Sequence, residues 1–352
     1  MSGRAVLGIL MAGGLAGALA SPASAAGQGY GYVLVTKHNA KIGSAYKAKV
    51  AKNSAGGAPT VIRTGQGAYT VRFPKLGLKG GVAHVTAYGG TANSCSVRDW
   101  APKSGGRLDV RVYCVDTVGQ KVNNGFSLAY TNIATRAGSY AYVVSDKPSA
   151  TNFTPPADKQ FNSAGGTNTI IHYATGAYVV RIPRARSGTQ IRYVHSQVTA
   201  YGNSQARCGI AGWFFFSKTD DVGVTVYCRS INGDPQNTRF AFSYTSRSGL
   251  QRRAPAAYVY AASSTLTTPY DPYYSYDSTG GALIVQRQST GRYRIDMPRQ
   301  NLDGGNVQIS AYGTADSYCG VVHWGSKDGV SVKCHDLNGN PIDAAFLASF
   351  QR

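Results

Sequence analysis

Three blocks of this chain carry residues that are able to bind or react. They read VTAYGGTANSCSVRDW from Val85, VTAYGNSQARCGIAGW from Val198 and ISAYGTADSYCGVVHW from Ile309. In each block a Tyr precedes a Gly, a Cys follows that Gly by six residues, and a Trp follows the Cys by five. Aromatic rings beside hydroxyl and basic groups hold sugar rings or stack on bases. The blocks therefore predict a reiterated binding surface, with the candidate residues Tyr88, Trp100, Tyr201, Trp213, Tyr312 and Trp324.

The orientation of these rings follows from strand alternation. If the strands are regular, Tyr88 points away from the core face that Val85 and Ala87 share. Each Trp lies an odd number of residues from its Cys, so it shares that outer face unless a β-bulge intervenes. The alternative is that the rings pack on each other or under a loop to complete the fold. The sequence leaves both interpretations open.

The six cysteines occur as two in each copy of the block and its following strand. The two cysteines of a copy are equidistant from a turn, as residues are that face each other across an antiparallel hairpin. Metal ligation is disfavoured, because no His and no close Cys spacing recurs with them. Connectivity between copies stays open. In an exported chain we expect three hairpin disulfides, namely Cys95 with Cys114, Cys208 with Cys228, and Cys319 with Cys334.

Common catalytic motifs are absent from the sequence, and its 16 acidic residues are all Asp, which restricts paired-carboxylate chemistry. A shared His-based site is excluded because the histidines occupy unmatched positions in the copies, at His38, His84, His172, His195, His323 and His335. A site in one diverged copy, for instance around His172 and His195, stays open. The segment from Asp336 to Asn340 resembles the start of a calcium loop, but only its Gly recurs, so we interpret it as a turn. We expect no cofactor and no metal.

The elements that must position these residues are strands. The chain has 43 Gly, 24 Tyr and no Glu, so strand and turn formers replace good helix formers. Apolar residues alternate with polar ones, as in Tyr69, Val71 and Phe73, which is typical of antiparallel sheets with one wet face. We predict an all-β protein of three tandem antiparallel β-sandwich domains, Greek-key or jelly-roll in type, each with one hairpin disulfide.

The copies define the domain boundaries. The N-terminal segment combines Arg4, an apolar run and an Ala-Ser-Ala processing pattern, so we interpret residues 1–25 as a cleaved signal peptide. We expect no membrane-spanning segment in the mature chain. Linkers are predicted near Ala134 to Ser139 and in the polar, basic segment 246–255. Three β-sandwich repeats follow from these boundaries, namely repeat 1 (26–135), repeat 2 (136–247) and repeat 3 (248–352).

The positive charge is unevenly distributed. The formal net charge is +20. Basic and acidic residues number 14 and 3 in repeat 1, 12 and 5 in repeat 2, and 9 and 8 in repeat 3. A field of this kind favours anionic partners such as acidic polysaccharides. Solubility alone is the alternative explanation.

The set G-x-Y-x-V-x-[FIM]-P, V-T-A-Y-G, C-x4-W, V-x-V-x-C and G-x6-F resembles the repeat unit of uncharacterised secreted bacterial proteins, especially those of actinomycetes. That resemblance covers nearly the whole mature chain and implies secretion, but it assigns no catalytic or binding residue. A fainter resemblance, in the Gly-x-Tyr-x-Val strands and the Phe of the final strand, is to jelly-roll heads of the complement and tumour-necrosis-factor type. It implies that the three repeats close into a pseudo-trimer, the alternative being a simple monomer.

Together these observations favour a secreted, non-enzymatic binding or surface-associated protein. Its expected partner is an anionic polymer or a polysaccharide, for example of a cell wall. Three tethered weak sites gain avidity without any new contact, which is a physical reason to triplicate a binding module. The alternatives are a secreted hydrolase with its site in one diverged repeat, and an inhibitor or toxin component that binds another protein.

Overall fold

Strands account for almost all regular structure in this computed structural model, which describes residues 28–133, 139–186, 191–203, 205–247, 255–313 and 317–352. The predicted all-β class is confirmed, because these residues form 26 strands, three short 3-10 segments and no α-helix. The 3-10 segments are Ser104–Gly106, Ala157–Lys159 and Ile191–Tyr193.

The strands follow one order in the three repeats, except that the described residues of repeat 3 form no counterpart of the second strand. Repeat 1 contains β1 (Gly29–Val35), β2 (Ala45–Lys47), β3 (Val50–Asn53), β4 (Thr60–Gly65), β5 (Ala68–Phe73), β6 (Val82–Tyr88), β7 (Ser94–Lys103), β8 (Arg107–Val115) and β9 (Gly125–Asn132). Repeat 2 contains β10 (Ser139–Ser145), β11 (Asn152–Phe153), β12 (Gln160–Asn162), β13 (Thr169–Ala174), β14 (Ala177–Ile182), β15 (Val194–Ala200), β16 (Arg207–Phe215), β17 (Val222–Arg229) and β18 (Phe240–Ser246). Repeat 3 contains β19 (Ala256–Ala261), β20 (Ser275–Asp277), β21 (Ile284–Ser289), β22 (Arg292–Asp296), β23 (Asn306–Ala311), β24 (Ser317–Gly325), β25 (Gly329–Asp336) and β26 (Phe346–Gln351).

Each repeat contributes two antiparallel groups of strands. The outer sheets have the order β2-β4-β5-β8-β7, β11-β13-β14-β17-β16 and β21-β22-β25-β24. The axial sheets, so called because they meet one another, have the order β3-β1-β9-β6, β12-β10-β18-β15 and β20-β19-β26-β23. A parallel bridge between Val321 of β24 and Tyr88 of β6 joins the outer sheet of repeat 3 to the axial sheet of repeat 1.

Apolar side chains at alternate positions of the outer strands pack with those of the axial strands. Tyr69, Val71 and Phe73 of β5 are at most 1% exposed. They share one hydrophobic cluster with Phe126 and Leu128 of the axial strand β9. Repeats 2 and 3 have equivalent clusters. Each fully buried side chain of this size contributes about 1.5–3 kcal/mol, so the period-two pattern determines which face of a strand is inside.

The three disulfides join Cys95 to Cys114, Cys208 to Cys228 and Cys319 to Cys334. In each pair the cysteines face each other in the register of neighbouring strands.

A glycine recurs directly before β5 and its counterparts, and Gly67 shows why. Its φ is 61°, and an added Cβ would lie 2.6 Å from the Cys114 carbonyl oxygen. Any other residue would be strained at this positive φ and would bring its Cβ too close to that oxygen, so the position requires glycine. The Gly67 carbonyl accepts a 2.8 Å hydrogen bond from the Cys114 N–H.

The predicted signal peptide, residues 1–25, lies outside the described residues, as do most residues of both predicted linkers. In the part of the chain that the structure describes, no helix has the length and apolar character needed to cross a membrane.

Candidate functional site

A β-bulge separates each block Cys from its Trp. The register of β7 on β8 shifts between Val97 and Asp99, and the same shift recurs in β16 and β24. The extra residue reverses the alternation, so Trp100 lies on the same face as Cys95 and packs against the core of repeat 1. Trp213 and Trp324 pack likewise against the cores of repeats 2 and 3. The expectation from regular strands that the tryptophans occupy the outer face is therefore wrong.

Each Trp also contacts the block Tyr of another repeat. These six rings are half-buried. Aromatic pairs whose ring centroids lie 4.5–7 Å apart stabilise a fold by about 0.5–1.5 kcal/mol beyond the effect of the area they bury. The ring centroids are 5.1 Å apart for Trp100 and Tyr201, 5.3 Å for Trp213 and Tyr312, and 5.5 Å for Trp324 and Tyr88. Because the pairs run from repeat 1 to 2, from 2 to 3 and from 3 to 1, they close the repeats into a ring.

The Gly that follows each Tyr makes the backbone contact of the same junction. Gly89, Gly202 and Gly313 have φ values of 104°, 95° and 105°, a region that favours glycine. Each N–H donates to a carbonyl of the adjoining repeat, at 2.8 Å from Gly89 to Val321, 3.0 Å from Gly202 to Val97 and 2.8 Å from Gly313 to Ile210. The Ala-Tyr-Gly sequence therefore joins repeats through both its ring and its backbone.

A ring of buried hydroxyls lies where the axial sheets meet. Each hydroxyl accepts a hydrogen bond from a backbone N–H of a neighbouring repeat. The pairs are Val85 N to Thr199 Oγ1 (3.4 Å), Val198 N to Ser310 Oγ (3.0 Å) and Ile309 N to Thr86 Oγ1 (2.9 Å). Buried polar groups are costly unless they are paired, so this ring fixes how the repeats align.

A second ring adjoins the first. The side chains one position before Val85, Val198 and Ile309 are His84, Gln197 and Gln308. They contact the same hydroxyls, in the pairs His84 Nδ1 with Thr199 (3.1 Å), Gln197 Oε1 with Ser310 (3.0 Å) and Gln308 Oε1 with Thr86 (3.0 Å). The polar side chains at these positions are thus hydrogen-bonded to neighbouring repeats.

Two histidines lie within this polar interface. Burial lowers the pKa of His84 to about 3. Burial, with a smaller contribution from His84, lowers the pKa of His195 to about 3 as well. Both imidazoles are therefore neutral at pH 7, and the ring of His195 stacks on Tyr258 of repeat 3 at 5.0 Å. His84 serves the interface as a neutral hydrogen-bonding group and His195 as a neutral stacking ring, and neither carries a charge there.

Comparison with known proteins assigns no role to these residues. No family model, curated protein or solved structure matches this chain. A function must therefore be argued from groups that the junctions leave accessible.

The structure does not bring His172 and His195 together. His172 lies in the outer strand β13, with Nε2 2.9 Å from Asn237 Oδ1. His195 lies in the axial strand β15 and is 1% exposed. Across the described ranges, no group of three or more His, Cys, Asp or Glu residues could hold a metal ion. The Asp336 carboxylate accepts the Asn340 N–H at 2.8 Å, which is the local contact of a turn.

The segments that cross from the first axial strand toward the outer sheet, here called straps, differ strongly in charge. Strap 1 (36–53) carries five lysines and no acidic residue, strap 2 (146–162) carries two lysines and two aspartates, and strap 3 (262–277) carries two aspartates and no basic residue. Both aspartates of strap 2 are paired, Asp146 with Lys159 of the same strap and Asp158 with Lys79 of repeat 1. Alignment of the three repeats by their straps is the sequence signal that points to this surface.

Strap 1 is a basic surface. Its lysines are all exposed, at Lys37, Lys41, Lys47, Lys49 and Lys52. None of them belongs to an ion pair within the described residues. No acidic residue precedes Asp99 in the chain, so no carboxylate close in sequence offsets their charge. Both strands of the strap, β2 and β3, are sheet edges.

Strap 3 contributes instead to an aromatic patch at the junction of repeats 2 and 3. Trp213 lies 6.4 Å from Tyr274 and 5.6 Å from Tyr260. Tyr260 lies 4.2 Å from Tyr312, and Tyr273, which packs edge-on against Tyr274, is 67% exposed. Two of the sequence candidates, Trp213 and Tyr312, therefore belong to a patch that reaches the surface.

Proposed function

We propose that this chain is a secreted, non-enzymatic binding protein that recognises an anionic polymer through strap 1. Each repeat is one β-sandwich domain pinned by a hairpin disulfide, and the ring of domains is a rigid head that carries the strap. The observation that supports the proposal best is that strap 1 carries five exposed lysines with no ion pair, at a position where the other straps are neutral or acidic.

The physical argument rests on clustered, uncompensated charge. Single exposed ion pairs contribute only about 0–1 kcal/mol, so one lysine recognises little. Five lysines on a short strap face a polymer with a regular series of charges, and each contact releases bound counterions. Lysine on edge strands also prevents edge-to-edge aggregation, which is the competing explanation for strap 1. Of the two explanations, only recognition of an anionic polymer predicts that the protein is retained on a polyanion.

Salt-dependent binding to heparin and polygalacturonate tests the proposal. The wild-type protein should be retained at low salt and elute as salt rises, because screening weakens exposed charges. The variant with Lys37, Lys41, Lys47, Lys49 and Lys52 all changed to Gln should pass through the column. The proposal fails if the wild type is not retained on either polymer at low salt.

A matched variant separates the strap from net charge. Changing five exposed basic residues of repeats 2 and 3 to Gln removes the same formal charge, at Lys218, Arg239, Arg292, Arg299 and Lys327. This control should elute close to the wild type. If both quintuple variants lose retention equally, overall charge rather than strap 1 is responsible, and the site assignment is wrong.

The aromatic patch supports a second candidate function, binding of a neutral carbohydrate. Tyr273 is 67% exposed beside half-buried rings, an arrangement suited to stacking on a sugar. Pull-down on chitin and cellulose in high salt removes the contribution of strap 1. Tyr273→Ala should abolish retention, whereas Tyr173→Ala, at a tyrosine 51% exposed on the outer sheet of repeat 2, should not. At the two other junctions between repeats, ligand binding by the block Tyr and Trp stays a prediction.

A further inference from the structure

A cavity of about 100 Å³ lies at the centre of the ring of repeats. All three repeats line it, and the block cysteines Cys95, Cys208 and Cys319 lie around it. The ring hydroxyls of Thr86, Thr199 and Ser310 also line it. This volume holds several waters or one small ion. Lining residues such as Asn93 and Leu337 are partly exposed, so the cavity borders the surface.

Among the cavity positions at which the repeats differ, one directly precedes the block Cys. The residue before the block Cys is Ser94 in repeat 1, Arg207 in repeat 2 and Tyr318 in repeat 3. The structure brings these three side chains together. Arg207 Nε donates to Ser94 Oγ at 3.5 Å, and the Arg207 guanidinium carbon lies 3.8 Å from the centre of the Tyr318 ring. Equivalent positions in the three repeats thus form one composite site of different residues.

Arg207 is incompletely satisfied at this site. Its Nη1 and Nη2 atoms are buried and neither has a hydrogen-bond partner. The neighbouring Ser317 Oγ is also buried without a partner. A buried charged group without acceptors is expensive, and no carboxylate forms an ion pair with Arg207 within the described residues. Burial lowers the pKa of Arg207, and the nearby Tyr318 opposes that shift.

We propose that the central cavity is a binding site for a small oxyanion, held by the two free nitrogens of Arg207. A guanidinium presents two parallel N–H groups to two oxygens of one carboxylate or phosphate, with specificity that a single ammonium lacks. Ser317 adds a hydroxyl donor, and the Tyr318 ring covers the face of the guanidinium. Since the site includes residues from all three repeats, an anion bound there stabilises the closed ring.

Thermal unfolding with added anions tests this site. Sodium acetate and sodium phosphate are the probes, with sodium chloride at matched ionic strength as the reference. Acetate or phosphate should raise the Tm in a saturable manner, by about 2–4 °C at tenfold excess over the dissociation constant. A larger response to acetate than to phosphate indicates a carboxylate ligand, and the reverse indicates a phosphate ligand. No increase beyond that seen with chloride for either anion overturns the proposal.

Two variants assign the effect to Arg207. Arg207→Met keeps much of the side-chain volume without charge, so it should fold at least as well in chloride and show no anion response. Arg207→Lys keeps the charge but loses the two-nitrogen fork, so its response should be weaker than the wild type. Arg239→Met removes an exposed charge and should respond as the wild type does. An undiminished anion response in Arg207→Met refutes the site.

Discussion

The junctions between repeats and the straps show opposite behaviour. At the junctions the repeats use the same residues in the same way, so that Tyr, Gly, the ring hydroxyl and Trp recur in three equivalent contacts. In the straps the repeats share little, and the charge ranges from five lysines to two aspartates. The recurring block is therefore explained by ring closure, which needs each contact three times. Specific recognition is better sought where the repeats differ, in strap 1, strap 3 and the position of Arg207.

Acidification should produce the largest disruption of the junctions. His84 and His195 have pKa values near 3 in the folded protein, against an ordinary value of 6.5. The unfolded chain therefore binds more protons between about pH 6.5 and 3, so stability is complete above about pH 6.5 and decreases as the pH falls. At pH 4 each of these two histidines should lower the free energy of unfolding by about 3 kcal/mol relative to pH 7, and urea unfolding measures this loss.

The other repeats supply the control for this prediction. Gln occupies the position of His84 in repeats 2 and 3, and Asn306 occupies the position of His195 in repeat 3. The double variant His84→Gln, His195→Asn should fold and lose about two thirds of the histidine-linked pH dependence between pH 6.5 and 4, since burial also lowers the pKa of His335, to about 4. If the double variant is as acid-sensitive as the wild type, other groups control acid unfolding.

Removal of single disulfides should give nearly equal losses in the three repeats. The sequence separations of the paired cysteines are 19, 20 and 15, and loop-closure entropy predicts a loss of about 3 kcal/mol for each. The paired variants, such as Cys95→Ala with Cys114→Ala, are compared by urea unfolding. A loss several-fold greater in one repeat would show that the repeats do not use the shared framework equivalently.

Strand alternation and cysteine spacing predicted much of the local structure, because both depend on neighbours in sequence. Tyr69, Val71 and Phe73 are buried as their spacing indicated. The bulge after Val97 was not predictable, since one unpaired residue leaves no mark in the alternation yet reverses the face of Trp100. Contacts such as Val85 with Thr199, more than 100 residues apart, depend on how repeats meet and have no local signal.

Truncation of the block tryptophans should separate the junctions from one another. Trp213→Ala removes contacts with Tyr260, Tyr274 and Tyr312 and the 3.0 Å hydrogen bond from Nε1 to Ser196. We expect a loss of about 2–3 kcal/mol for this half-buried ring, less than for a fully buried Trp. Trp324→Ala, whose ring pairs with Tyr88, should lose about 1 kcal/mol less. Equal losses in urea unfolding would mean that the contacts of Trp213 with Tyr260, Tyr274 and Ser196 add nothing to the stability of this junction.

Substitution in strap 1 should have the smallest effect on stability. The five lysines are exposed and form no ion pair among the described residues, so changing all of them to Gln should alter the free energy of unfolding by less than about 0.5 kcal/mol. The comparison is Lys159→Gln in strap 2, where a partly buried pair with Asp146 is broken and a loss of up to about 1 kcal/mol is expected. Urea unfolding at low and high salt measures both. A loss above 1 kcal/mol in the strap 1 variant would make its lysines part of the fold, and their divergence from the other straps would then no longer point to recognition.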